Sequence, residues 1–259
     1  MLHERLIEVR GAKLNLRRGG AGEPVLFLHG PQGFAGSGAA TELLAGRFDV
    51  LAPDHPGFGL SDAPDMLDDV PDVAFFYLDV LASLGLRDVH IVGHSLGGWI
   101  ALEMAVRSTE RIKSLILAAP AGIRVKGVPR ADMFMCSQDE LTRLLFVGSG
   151  GPQWQAEQLA TPEAQEIFDR NRFAAAKLTW QPRLFDPKLE KWLHRIDRPT
   201  HLIWGEEDRI IPPAYGRRIQ TLVAGASLAL VPGAGHMFHV EAPDEFAGAV
   251  QRFIAGKSS

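Results

Sequence analysis

Between Val89 and Leu102 the chain changes conformation in a way few folds accommodate. A short apolar run, Val89-His90-Ile91-Val92, breaks on Gly93-His94-Ser95-Leu96-Gly97-Gly98 and resumes as Trp99-Ile100-Ala101-Leu102. The first part predicts a buried strand and the last a buried helix, which places Ser95 on the hinge between them. A turn this sharp forces the serine backbone into a strained conformation, and a Cβ at Gly93 or Gly97 would collide with it. The geometry lifts the hydroxyl clear of the sheet. It also aims the Leu96 amide, at the start of a helix, toward whatever the serine attacks, where it can stabilise an oxyanion. The bland alternative is a Gly-rich strand-to-helix loop with a serine N-cap, so the rest of the chain has to decide.

The flanking segments repeat the theme of buried strand followed by helix. Residues 5 to 18 alternate loosely in polarity around Gly11 and predict a two-stranded hairpin, ended by Gly19-Gly20-Ala21-Gly22. Continuously apolar runs at 24–29, 50–54 and 112–119 are of the kind a strand shows when both faces of a parallel sheet are covered. Helices are expected at 39–46 and 72–84, the second from Val73, Phe76, Tyr77, Val80, Leu81 and Leu84 recurring at helical steps before Gly85. Between about 121 and 185 no strand-like run occurs, and helical pieces are expected at 131–147, 153–159 and 161–177. The sheet pattern resumes with a short helix at 187–195, strands at 200–205 and 227–231, and helices at 213–223 and 242–254. This order predicts an α/β fold: a mainly parallel eight-stranded sheet with helices on both faces. An all-helical cap, residues 121–186, is inserted after the sixth strand, and residues 1–120 with 187–259 form the catalytic domain.

Composition narrows the function classes. A 259-residue chain that is 46% hydrophobic with a formal net charge of −4 argues against a general binder of nucleic acid or anionic membranes. Cys136 is the one cysteine, so no internal disulfide is possible, and in the cap it is expected to be a small apolar filler. Acidic residues interrupt the first eight positions where a signal peptide needs an apolar core, and no stretch reaches the roughly 18 apolar residues of a membrane span. The expected compartment is the cytoplasm. No phosphate-binding GxxxxGK[ST] and no strand-GxGxxG-helix context is present. Metal binding is not expected: His90 and His94 would lie roughly 13 Å apart on a strand, and His236 and His239 lack a third ligand nearby. The expected partner is a small-molecule substrate, with no cofactor.

A serine hydroxyl needs a base within reach, and the base needs a carboxylate to set its tautomer. His236, in Pro232-Gly233-Ala234-Gly235-His236 just after a strand, is the candidate base. Asp208 fits best as its partner, with Glu206 and Glu207 as close rivals in the same turn. Each polar cluster falls after the carboxyl end of a strand, the edge where open α/β sheets form their sites.

The order Ser95, Asp208, His236, together with His29-Gly30, the Asp54-to-Ser61 turn, Gly93-to-Gly98, Trp204-to-Pro212 and Gly235-to-Glu241, resembles the α/β-hydrolase superfamily, in its small form with a helical cap. The matches span nearly the whole chain outside the cap. The resemblance implies Ser95 as nucleophile, His236 as base, Asp208 as its partner and the Leu96 amide as one oxyanion donor. The family's second donor is usually an N–H just after the His-Gly pair; here that residue is Pro31, which has none, and Gln32 is the next candidate. His29, Gly30, Phe34, His94, Met133, Phe134, Leu145, Trp154 and Met237 are expected to contribute to substrate binding, while His29 and the 54–61 turn are expected to shape the site by hydrogen bonds rather than react. The cations Arg124, Lys126, Arg130, Arg143, Arg170, Arg172 and Lys177 are scattered, and most are expected to be solvated. The reading is a cofactor-free serine hydrolase of small or medium apolar carboxylic esters. The alternatives are hydrolytic C–C cleavage of a diketone by the same triad, and a non-catalytic small-ligand receptor on this fold.

Overall fold

In the computed structural model, which describes residues 1–256, eight strands form one sheet in the order β1-β2-β4-β3-β5-β6-β7-β8. These are β1 (His3–Val9), β2 (Ala12–Gly19), β3 (Pro24–Leu28), β4 (Asp49–Pro53), β5 (Val89–His94), β6 (Ile112–Ala118), β7 (Thr200–Gly205) and β8 (Ser227–Val231). The N-terminal hairpin pairs antiparallel, and β2 joins β4 antiparallel; every pairing from β4 to β8 is parallel. The expected mainly parallel sheet is therefore observed.

Two cores follow from the period-two alternation of the central strands. Ile91 of β5 and Leu26 of β3 face one core with helices α2 (Val70–Ser83) and α3 (Leu96–Arg107), whereas Val92 and Phe27 face the other with α1 (Gly38–Ala45) and the C-terminal helix Pro243–Ile254. Burial on both faces explains why β3 reads as an unbroken apolar run and β5 as an apolar run broken only by histidine and glycine. Helix α2 starts where Asp69 accepts a hydrogen bond from the Asp72 amide at 2.9 Å, and its chain exit turns at Gly85, φ 66°.

Between β6 and β7 the chain carries three helices, α4 (Gln138–Leu145), α5 (Gly150–Gln158) and α6 (Pro162–Thr179). Residues 131–137, expected to open the first helix, are not helical. The reason is a capping box: Ser137 accepts from the Glu140 amide at 3.3 Å while Glu140 accepts from the Ser137 amide at 2.8 Å, so the helix starts there. The short helix before β7 is a 3-10 helix, Glu190–Arg195. Beyond β7 follow α7 (Ala214–Leu222), a one-turn α8 (Phe238–Glu241) and α9 (Pro243–Ile254). The expected closing helix at 242–254 is α9, and the one-turn α8 before it is a separate element because Pro243 cannot continue the preceding hydrogen-bond ladder.

The inserted helices are tied to the loops at the carboxyl ends of the strands. Asn171 of α6 accepts from the Gly59 amide at 2.8 Å and donates to the Gln32 carbonyl at 3.1 Å, while Arg170 donates to the Gly57 and Ser61 carbonyls. On the other side, the Leu145 carbonyl accepts from the Met237 amide at 3.1 Å, and Glu241 accepts from the Val147 and Gly148 amides at 2.9 Å each.

Candidate active site

Ser95 joins β5 to α3 with φ 51° and ψ −109°, a conformation that non-glycine residues rarely adopt. Its environment explains how the strain is held. The Ser95 amide donates to the Ala118 carbonyl at 2.9 Å, and its own carbonyl accepts from the Trp99 and Ala121 amides at 3.0 Å each. The flanking glycines are sterically required: a Cβ on Gly97 would stand 2.0 Å from the Leu28 carbonyl oxygen, and one on Gly93 would stand 2.7 Å from the Gly97 oxygen. Leu96 heads α3, where backbone N–H groups have no intrahelical acceptor.

Of the three carboxylates after β7, Asp208 is the one that meets the imidazole. Its Oδ2 lies 2.8 Å from His236 Nδ1, and its Oδ1 accepts from the Ile210 and Ile211 amides at 2.8 Å each. Glu206 and Glu207 are exposed, and Glu207 reaches Arg209 at 3.4 Å. With Nδ1 committed to Asp208, Nε2 is the ring nitrogen left for chemistry. The approach of the histidine loop depends on Gly205, where a Cβ would lie 2.3 Å from the Ala234 oxygen, as well as on Gly233, at φ 69°, and Gly235, where a Cβ would lie 3.1 Å from the Leu145 oxygen.

A layer of neutral histidines underlies these residues. Burial, reinforced by the neighbouring His239 and His236, holds His94 well below the ordinary imidazole value, so it stays neutral and donates Nε2–H to the His236 carbonyl at 3.0 Å. Burial likewise pushes His29 down to about 3. His29 donates Nδ1–H to the Gly30 carbonyl at 2.7 Å and accepts from the His55 amide at 3.0 Å; His55 donates to the His29 carbonyl at 2.9 Å and accepts from the Tyr77 hydroxyl at 2.6 Å. Asp54 gathers Asn15 at 2.9 Å, Arg17 at 2.7 Å and the Leu60 amide at 3.1 Å. The His29-Gly30 loop and the 54–61 turn are thereby locked together.

Two small adjoining cavities lie above this layer. One, of about 40 Å³, is lined by Ser95, Leu96 and Trp99 from the sheet side, by Ile210 and Ile211 beside Asp208, and by Arg130, Met133, Thr179 and Leu184 from the insertion. The other, of about 20 Å³, is lined by Gln32, Met133, Phe134, Leu145, Trp154 and Phe168 among others. Pro31 and Met133 belong to both and form the partition.

Several expected substrate contacts are corrected by this arrangement. His29 and His94 are buried beneath the site with their bonding nitrogens engaged internally, and neither reaches a cavity. Gly30 lies against His94: a Cβ there would be 2.8 Å from its Nδ1. Phe34 turns away, edge-on to Phe27 and beneath the Arg17 guanidinium at 4.3 Å. Met237 is buried in the main core. Gln32 faces the smaller cavity, not the one holding Ser95. Met133, Phe134, Leu145 and Trp154 do line cavities. Ile210, Ile211 and Arg130 were missed, although the two isoleucines follow Asp208 directly in a turn that has to fold back on the site. Arg130, expected among solvated cations, is the exception to that expectation.

The model of the alpha/beta hydrolase family matches residues 25–249. The chain belongs to the alpha/beta hydrolase family. This alpha/beta hydrolase is 30% identical over 267 residues to the 2-hydroxymuconate semialdehyde hydrolase of Pseudomonas sp. strain CF600, with 97% of this chain and 93% of that protein covered. Its fold is shared with the meta-cleavage product hydrolase CumD of Pseudomonas fluorescens IP01 (TM-score 0.79, 23% identity, 98% of each chain covered). It is shared equally with the naproxen esterase of Bacillus subtilis (TM-score 0.78, 20% identity, 98% of this chain and 92% of that one).

Proposed function

We propose that this alpha/beta hydrolase is a cofactor-free serine hydrolase, with the helical insertion of residues 121–186 as a cap over its site. The observation that carries the reading is the buried Asp208–His236 pair at 2.8 Å, together with a serine held at φ 51° at the head of α3. In the proposed cycle His236 Nε2 accepts the Ser95 proton as Oγ attacks an acyl carbon, and the Leu96 amide donates to the oxyanion that forms. The resulting imidazolium, stabilised by Asp208, protonates the leaving alkoxide, giving an acyl-serine. Water, deprotonated by the same imidazole, then attacks the acyl carbon and releases the acid and free Ser95. Pro31 has no N–H to offer, so the backbone of Gln32 is proposed as the second donor; its side chain lining the other cavity speaks against side-chain donation.

A carboxylic ester with a small acyl group is the proposed substrate class, supported by a cavity of about 40 Å³ whose wall is mostly apolar. Hydrolytic C–C cleavage is the second reading; it draws support from the 30% identity to a protein named for that type of substrate. The proposed compartment is the cytoplasm, consistent with a single cysteine and with no described helix being long and apolar enough to cross a membrane. The test is labelling by a fluorophosphonate probe. The wild type is expected to be labelled and Ser95→Ala is not, with kcat on aryl esters falling by about 10³-fold or more. Equal labelling of the two proteins would exclude Ser95. A vinylogous diketone acid run beside the ester series decides which bond is cut.

A further inference from the structure

The cavity that holds Ser95 has one charged wall. Arg130 lines it, and its guanidinium is fixed by donating Nη1–H to the Leu184 carbonyl and Nη2–H to the Arg183 carbonyl, at 2.7 Å each. Among the described residues no carboxylate forms an ion pair with it. Two of its five N–H donors are thus used, and both acceptors are neutral. Burial pushes its pKa below the ordinary guanidinium value, a shift that still leaves an arginine charged at neutral pH. A partly desolvated cation without a counter-charge is unfavourable until an anion meets it.

The same side chain also lines an open cleft of about 880 Å³, bounded by residues 124–132, residues 183–185 and Tyr215. The cleft carries Arg124, Lys126, Arg130 and Arg183 against one acid, Asp132, which is tied to Arg183 at 2.7 Å. Arg124 rests over the Phe185 ring at 5.7 Å. This excess of positive charge stands on a chain whose formal net charge is −4, so it is local, and a concave basic wall concentrates anions. Arg130 connects the cleft to the Ser95 cavity.

We propose that the substrate of this site is an anionic ester, one whose acyl chain ends in a carboxylate that enters along the basic cleft and pairs with Arg130 while its ester carbonyl lies at Ser95. The proposal rests on the serine-hydrolase reading above and narrows its substrate class. A carboxylate suits the wall because a planar guanidinium offers it paired, parallel donors. The rest of the wall, Met133, Leu184, Ile210 and Ile211, asks for a short hydrocarbon between the two carbonyl groups. Arg130 thereby acts as a specificity residue. As a mere staple between residues 130 and 184 it would have no effect on substrate charge.

Calorimetry on the Ser95→Ala protein separates these roles without needing turnover, using phenyl hemiglutarate and the neutral phenyl pentanoate. The hemiester is expected to bind about tenfold or more tighter at low salt, with the preference shrinking as sodium chloride rises from about 20 mM to about 0.5 M. Adding Arg130→Gln should bring the ratio of the two affinities close to one, and adding Arg130→Lys should keep part of it. Should Arg130→Gln disturb folding, Arg124→Gln/Lys126→Gln changes only exposed side chains and is expected to weaken hemiester binding about two- to fivefold and flatten its salt dependence. Equal affinity for the two esters, or a preference untouched by Arg130→Gln, overturns the proposal. Failure of the wild type to hydrolyse any ester while the Arg130-dependent preference persists would instead count against the hydrolase reading alone.

Discussion

Both oxygens of Asp208 have fixed uses, and that makes its replacement informative. Oδ1 takes two backbone N–H bonds and Oδ2 takes the His236 Nδ1–H. In Asp208→Asn the amide oxygen can keep the two backbone donors, which forces the amide nitrogen against Nδ1. Nδ1 then has to accept, the proton moves to Nε2, and the imidazole loses its capacity to take the serine proton. We expect kcat to fall by about 10³- to 10⁴-fold with little change in Tm; a variant that keeps a tenth of wild-type kcat would show that the pair does not serve catalysis. The turns that hold the candidate residues were legible in the sequence because each has its own local demands, as the glycines around Ser95 illustrate. Asp208 was favoured over Glu206 and Glu207 in the sequence, but its contact with His236 at 2.8 Å depends on where the loop after β8 meets the loop after β7.

Helix α4 shows how an element carries information to the site. Its start is set by the Ser137–Glu140 capping box, and its far end presents Leu145, whose side chain lines the smaller cavity and whose carbonyl holds the Met237 amide beside His236. Ser137→Ala removes the cap and is expected to cost about 1 kcal/mol of stability, read by urea denaturation. Fraying that end should raise KM more than it lowers kcat, since the pair of His236 and Asp208 is built from other elements. An unchanged denaturation midpoint would remove the cap from the account. The Ser-x-x-Glu signature was present in the sequence and outweighs the apolar residues Met133, Phe134 and Met135, which had suggested an earlier start. Met133 and Phe134 instead line the cavity from a turn, while Met135 is exposed, and apolar character alone does not distinguish that from a helical face.

At the scale of the whole molecule, four neutral buried histidines make folding sensitive to acid. His29 and His239 are pushed by burial from 6.5 down to about 3, and His55 and His94 are also held well below 6.5. In the unfolded chain all four bind protons as pH falls through about 6.5, while in the folded chain His29 and His239 do not until about 3, and burial keeps His55 and His94 neutral well below 6.5. The unfolded state therefore gains protons that the native state refuses, and stability drops as pH falls across that window. The slope is up to about 1.4 kcal/mol per pH unit for each histidine. Denaturation midpoints measured from pH 8 to 4 should fall below pH 6.5, and His239→Phe should make the fall shallower. A midpoint constant down to pH 4.5 would contradict the buried-neutral assignment.

Taken by itself, the sequence determined the order of strands and helices, the covered parallel sheet, and the three turns that carry Ser95, Asp208 and His236. These are local properties: side-chain period reports burial on one or both faces, and turn residues report where the backbone reverses. The tertiary structure alone decided the strand order across the sheet, the withdrawal of His29, His94, Phe34 and Met237 from the cavities, and the placement of Arg130 beside Ser95. Each of these depends on contacts between segments far apart in the chain, such as Arg130 with the Leu184 carbonyl 54 residues later. No periodicity within one segment encodes which distant backbone will lie against it, so such contacts emerge only when the elements pack.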